Sequence, residues 1–429
     1  MLKSLSARVL LALALGLGGG AALAAWGGGG EGLKGGVELV EALGGLWLNG
    51  LRMTIVPLVF SLLVVGIASV TDAAATGKLA GRAIALFSVM LIAAAIYATF
   101  ATLGLLALWP VDAAGAEALR HGAGASKDAL AAAPALGDWI KGLAPANPIK
   151  AAAEDAILPL VVFGVFVGFA ATRLPDELKL PLINVFRAIG ETMIVIVRWV
   201  LWAAPLGVFA LSLGVGLRAG LGAAGVLLQY VTIVSVVTAG IALLPYIAVA
   251  IRRARGGDIS LREFARAAAP VQVLAFSTQS SLACLPAMIE RARDDLRIPS
   301  RVTGLVLPLA VAVFRLTSPV ANLAVAYFVA HIYGVHPSLP QMIGAVFVAF
   351  AVSVGSVGLP GQISFFASMA PICLALGLPV ELLPILLAVE VIPDIFRTIG
   401  NVTGDLGVTA VLNPPGEEEP PLDAETAPL

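Results

Sequence analysis

The sequence predicts an all-helical polytopic membrane protein with eight transmembrane helices and two re-entrant helical hairpins. Three observations carry this. Of 429 residues, 59% are hydrophobic and only 12% are charged, against roughly 25% charged in soluble domains. Apolar runs long enough to cross a bilayer recur along the chain. Two further apolar stretches are interrupted by polar and Gly/Pro-rich tips, which suit backbone buried in protein or lining a wet cavity.

The elements follow in order. Lys3 and Arg8 precede the run LLALALGLGGGAALAAW. Such a start suits a signal peptide, with ALA as its cleavage site, or a first spanning helix; the length of the run favours the helix. Further spans are expected at about 47–70, 83–109, 153–174, 190–216, 220–251, 302–332 and 379–413. The broken stretches are 264–290, with STQSSLACLP, and 341–378, with SVGSVGLPGQIS. Paired interruptions of this kind in a transporter core point to its binding site. Lys78, Arg82, Arg173, Lys179 and Arg187 share one side with Lys3 and Arg8 if each span crosses once. The cluster from Arg252 to Arg266 and that from Arg291 to Arg301 join them if the first hairpin enters from that side. Both termini are then cytoplasmic in a plasma (inner) membrane protein. Residues 112–150 form the long opposite-side connection, and the tail PPGEEEPPLDAETAPL is acidic, Pro-rich and expected to be disordered.

Other classes find little support. A net charge of −1 gives no field for nucleic acid. Two cysteines are too few for a disulfide framework, and three histidines without HExxH spacing supply no metal centre. No nucleophile elbow, P-loop or dinucleotide motif is present, so an enzyme is not expected, nor a cofactor.

Ionisable residues within a membrane are costly and mark function. The densest set is EVIPDIFRTIGNVTGD, residues 390–405. On one continuous helix, Glu390, Asp394, Arg397, Asn401 and Asp405 would share a stripe about 80° wide. Asp394 suits an ammonium, Arg397 a carboxylate held by a bidentate fork, Asn401 a donor–acceptor pair, and Thr398 adds a hydroxyl. That is the chemistry of an amino acid with an acidic side chain. The competing reading is an internal salt-bridge ladder. Glu191 and Arg198, two turns apart, suit a structural or interface role.

DIFRTIGNVTGD resembles the last helix of the dicarboxylate/amino acid:cation symporters, the glutamate transporter family. Further stretches, over about residues 5–413, are similar in the same order: WLNGLRMTIVPLVFSLLVVGIASV, NPIKAAAEDAILPLVVFGVFVGF, APLGVFAL, QSSLACLP and SVGSVGLPGQ. The resemblance implies the elevator fold of that family, and a homotrimer. It implies a scaffold of residues 1–75 and 111–218, and a transport unit of 76–110 and 219–413, followed by the tail 414–429. It places the substrate against Ser280 and Ser281 at the first hairpin tip and Gly358, Leu359 and Ile363 at the second. Ser318, Asp394, Arg397, Thr398 and Asn401 complete the implied substrate site. Arginine with aspartate on the last helix goes with aspartate or glutamate in this family.

One departure stands out. Where the family's seventh helix has NMDGT, this chain reads Phe314, Arg315, Leu316, Thr317 and Ser318. The third-helix places of the same deep sodium site match Ala93, Ile96 and Tyr97. Phe, Leu, Ala and Ile offer no side-chain oxygen to a hard cation. Two other implied sodium sites use mainly carbonyls, one of Ala310, Phe314 and Asn401 with the Asp405 carboxylate, the other of Ala312, Ser353, Val354 and Ser356. A charge at Arg315 about 4 Å away would oppose a cation there by about 4 kcal/mol at an effective dielectric of ~20. Arg315 is therefore expected to act as a tethered cation, neutralising Asp405, Glu390 or the substrate. It also restores a guanidinium missing at Gln279, Ile395 and Phe396, where relatives carry one. The expected function is sodium-independent carriage of an acidic amino acid, proton-coupled or by exchange. The alternatives are a C4-dicarboxylate or neutral amino acid symporter of the same fold, or a substrate-gated anion pore.

Overall fold

Helices form where the apolar runs lie and break at small, polar or Pro-preceded residues. The structure is a computed structural model and describes residues 5–26, 31–75, 77–122, 136–219, 222–355 and 361–414. The first run forms α1 (Leu5–Ala25). The second span is two helices, α2 (Glu31–Arg52) and α3 (Ile55–Ala75), parted where Thr54 Oγ1 donates to Leu51 O at 2.7 Å. α4 (Lys78–Leu108) is the third span. The long connection holds α5 (Ala113–Gly122), α6 (Leu136–Gly142) and α7 (Pro148–Ala153), and α8 (Ile157–Ala171) is the fourth span.

The fifth span differs from expectation. It starts earlier and is broken at Ala203 into α9 (Asp176–Trp202) and α10 (Ala204–Ala219). Asp176 and Glu177 in the first turn suit a helix N-terminus, but their polarity hides this turn from a hydropathy reading. The sixth span is α11 (Gly222–Ile241) and α12 (Leu244–Ala254), with Pro245 in the first turn of α12. The first broken stretch is the hairpin α13 (Leu261–Thr278) and α14 (Ser281–Asp294). The seventh span is α15 (Ser300–Val313) and α16 (Ser318–Tyr333), and the second broken stretch is α17 (Leu339–Gly355) and α18 (Gly361–Ala375). The last span is not one helix. It breaks at Glu390 between α19 (Leu383–Val389) and α20 (Val391–Leu412).

Six helical stretches among the described residues are long and apolar enough to cross a membrane: Ala7–Ala25, Gly35–Asp72, Lys78–Leu108, Asp176–Trp202, Gly222–Ala254 and Ser300–Tyr333. α8 has 15 residues, and the last span carries Glu390, Asp394, Arg397 and Asp405, so neither meets that measure.

Helices surrounded by lipid gain little from apolar burial and associate through small residues that let backbones touch. α1 and α10 do this. Gly16 and Gly20 face Ser212 and Gly216, with one helix turn between members of each pair. A Cβ on Gly20 would stand 2.2 Å from Leu213 O, and one on Gly216 2.3 Å from Leu17 O. α1 is thereby built into the fold, as the spanning-helix reading requires. Gly216→Leu is expected to force the two backbones apart and to lower yield and detergent melting temperature, while a leucine at exposed Ala14, on the opposite face, is tolerated; thermal unfolding of the purified variants checks this.

α16 lies at the centre, buried from Ser318 to Ala330, and packs on α4, α11, α17 and α18. α20 runs beside it against α11 to α15. Its C-terminal carbonyls are held by Arg252, whose Nε donates to Val411 O (3.1 Å) and Nη2 to Asn413 O (3.0 Å). Gln272 of α13 donates to Thr403 Oγ1 at 2.9 Å, tying the first hairpin to α20.

Candidate substrate and ion site

Residues 314–317 leave the helix between α15 and α16 and cross α20 closely. Glycine makes this possible. A Cβ on Gly400 would meet Thr317 Cγ2 at 2.4 Å, and one on Gly404 would meet Leu316 and Phe314 at 3.1–3.2 Å. Thr317 N donates to Asn401 Oδ1 at 3.0 Å. Thr317 Oγ1 lies 2.9 Å from that oxygen and 3.0 Å from Arg397 O, so its single proton serves both. Asn401 therefore holds the unwound segment with its oxygen.

The charges gather around this crossing. Arg397 is 7% exposed and its Nη2 stands 2.7 Å from Glu390 Oε1. The contact is one of charge, without hydrogen-bond alignment, and Nε has no acceptor either among the described residues. Glu390 Oε2 accepts from Tyr230 OH at 2.7 Å. Asp405 is 1% exposed, and neither carboxylate oxygen has a hydrogen-bond donor among the described residues. A buried carboxylate in this condition needs a cation or a proton. The cation whose field reaches it is Arg315, which lies in the unwound segment and also feels Asp394 and Arg397.

The expected site residues divide as follows. Arg397, Asn401 and Asp405 lie buried along α20, as the stripe requires, and Asp394 is half-buried in its first turn. Glu390 is the exception. It sits at the break before α20, not on it, yet comes back to Arg397. Thr398 Oγ1 donates to Asp394 O at 3.0 Å, so the hydroxyl keeps only its accepting capacity. Ser280 caps α14, accepting from Ala283 N at 3.3 Å, and Ser281 opens that helix, both half-buried. Gln279 between the two hairpin helices is left-handed, with φ 49°. Ser318 opens α16, and its Oγ is 3.1 Å from Ser353 Oγ and 3.4 Å from Asn322 Nδ2. Ser353 and Val354 end α17, where carbonyls lack helical partners. Ala310 O accepts from Phe314 N at 2.7 Å, and Ala312 is half-buried two residues before the unwound segment. Ser356, Gly358 and Leu359, and the side chain of Ile363, lie outside the described residues.

The residues matched to the implied deep sodium site pack as carbon. Phe314 stacks on Phe87 of α4 with centroids 4.7 Å apart, and Leu316 is fully buried. The third-helix matching needs correction. Ala93 and Ile96 are exposed and Tyr97 OH donates to Val237 O at 3.2 Å. α4 meets the unwound segment through Phe87 instead, because the helical phase places 87, 90, 91 and 94 inward. Sequence reasoning missed Tyr230, Thr317 and Asn322 as parts of this network. The signal was there: each is a polar residue inside a strongly apolar span.

Residues 5–414 match the sodium:dicarboxylate symporter family. The chain belongs to it. The protein is thus a multi-pass membrane transporter and not an enzyme. It is 30% identical over 377 residues to the proton/glutamate-aspartate symporter of Escherichia coli K12, covering 86% of this chain and 83% of that one. It is 28% identical to the C4-dicarboxylate transport protein of Azorhizobium caulinodans, over 87% of this chain and 82% of the relative. It is 29% identical to the human neutral amino acid transporter A, over 84% and 73%.

Proposed function

We propose that this transporter carries aspartate or glutamate and does so without sodium, Arg315 standing as a tethered cation beside Asp405. One observation carries the substrate reading: a buried guanidinium at Arg397 with unused donors, one helix turn from the Asp394 carboxylate. A substrate carboxylate satisfies the first and its ammonium the second. A neutral amino acid leaves Arg397 unsatisfied, and a dicarboxylate leaves Asp394 without its ammonium. The E. coli relative, named for protons with glutamate and aspartate, supports the same choice. The bare Asp405 and the carbon-filled deep position support the ion reading.

The scaffold of residues 1–75 and 111–218 and the transport unit of 76–110 and 219–413 belong to the same proposal, as do the elevator motion, cytoplasmic termini and a homotrimer. Exposed Glu191 and Arg198 support the trimer. They lie on α9 among exposed Val195, Trp199 and Trp202, and two charges are costly against lipid but not at a subunit contact.

Uptake of labelled L-aspartate into proteoliposomes tests the substrate. Unlabelled L-glutamate is expected to compete well, and serine and succinate at least tenfold less well. Competition by succinate but not glutamate would favour a dicarboxylate carrier. Binding without accumulation would favour an anion pore.

A further inference from the structure

We propose that Glu390 is the residue that carries the coupling proton, one per acidic amino acid, so that uptake is electroneutral. This rests on the acidic amino acid reading above and adds the identity of the carrier and the stoichiometry.

The geometry sets a competition. Arg397 has one guanidinium, and Glu390 Oε1 already stands 2.7 Å from its Nη2. A substrate carboxylate forked across Nε and Nη2 takes that place. Displaced while charged, Glu390 would be a buried carboxylate held only by Tyr230 OH, 2.7 Å from Oε2, beside a second anion. Protonated, it is neutral and releases Arg397 at little cost. The charged and titratable groups that act on Glu390 are Arg397 and Asp394 on α20 and Tyr230 on α11, and the Cys373 thiol of α18 acts on Tyr230. None of them supplies a second cation. Glu390 sits at the break between α19 and α20 and its carbonyl accepts from Asp394 N at 2.9 Å, so a turn of its side chain parts it from Arg397 while the backbone of α20 stays in place.

A charge count supports one proton per substrate. The site holds two cations, Arg315 and Arg397, and three carboxylates, Glu390, Asp394 and Asp405, a net charge of −1. An acidic amino acid brings one further net negative charge, and a proton on Glu390 cancels it. Loaded and empty carriers then bear the same charge. In the cycle, Glu390 Oε1 parts from Nη2 and takes a proton from water on the loading side, and Arg397 turns its donors to the substrate. On the far side the substrate leaves, Oε1 returns the proton to water, and the ion pair reforms.

The test uses the full chain in proteoliposomes, with membrane potential set by potassium and valinomycin. For the wild type, an inward proton gradient is expected to drive labelled L-aspartate uptake, one proton entering per aspartate, with no response to potential. In Glu390→Gln the site loses one negative charge permanently. That variant is expected to ignore the pH gradient and to take up aspartate in response to an inside-positive potential. Tyr230→Phe keeps the ring packed on Phe328 and removes one hydrogen bond. It is expected to move the midpoint of the pH profile by about one unit, which serves if the glutamine variant does not fold. A potential-driven wild type, a Glu390→Gln that still follows the pH gradient, or a Tyr230→Phe profile that stays in place would overturn the proposal. Wild-type liposomes that take up no aspartate at any pH would instead overturn the functional reading beneath it.

Discussion

Arg315→Met is expected to reduce L-aspartate uptake in choline by about a hundredfold or more. Removing one partner of a buried charge pair leaves the other uncompensated, which costs about 3–5 kcal/mol. Here the carboxylates that lose the field of Arg315 are Asp394 and Asp405, and the oxygens of Asp405 have no hydrogen-bond donor among the described residues. Initial uptake rates in choline and in sodium measure the effect. If Arg315 holds the place of a cation, sodium should restore part of the lost rate, because Asp405 and the carbonyls around residues 310–314 then face an empty charge position. Folding is separated from coupling by the double variant Arg315→Met, Asp405→Asn, which removes both charges and is expected to recover the melting temperature of the wild type. An Arg315→Met protein that transports normally in choline would show that Arg315 is not the surrogate.

Arg397→Gln is expected to weaken aspartate binding by about a hundredfold, the worth of a charge-assisted hydrogen bond of about 2–3 kcal/mol. The inhibition constant of aspartate, compared with that of serine, is the proper readout, since serine has no side-chain carboxylate to lose. The preference for aspartate over serine should shrink or reverse. Arg397→Lys should recover little, because an ammonium cannot reproduce the planar fork. Loss of aspartate and serine recognition to the same degree would place Arg397 in a purely structural role, the salt-bridge ladder with Glu390.

Much of this was legible in the sequence. The spans, both hairpins and the cluster at 390–405 could be read because membrane crossing demands long apolar runs and makes every exception conspicuous. What escaped is informative. A continuous helix carries the stripe, but the chain breaks at Glu390, where Pro393 has no N–H for the Val389 carbonyl; the proline is in the sequence, while a periodicity reading weighs only which residues share a face. Glu390 reaches Arg397 all the same, since a pair seven residues apart stays on one side of the chain. Asn401 has the chemistry of a ligand, yet its oxygen serves Thr317, a partner 84 residues away. Long-range contacts of this kind leave no local pattern. The third-helix matching failed for a simple reason: a gapless shift of a few residues rotates a helix face from core to lipid, and Phe87 rather than Ala93 or Ile96 faces the unwound segment.

The most direct measurement is the initial rate of labelled L-aspartate uptake into proteoliposomes of the purified protein, with an inward proton gradient and all external sodium replaced by choline. The account predicts uptake in choline equal to that in sodium, and a slower rate with no accumulation above the outside concentration when the gradient is collapsed. Uptake that appears only with sodium would contradict it, and would return the site at Asp405 to a cation from solution in place of Arg315.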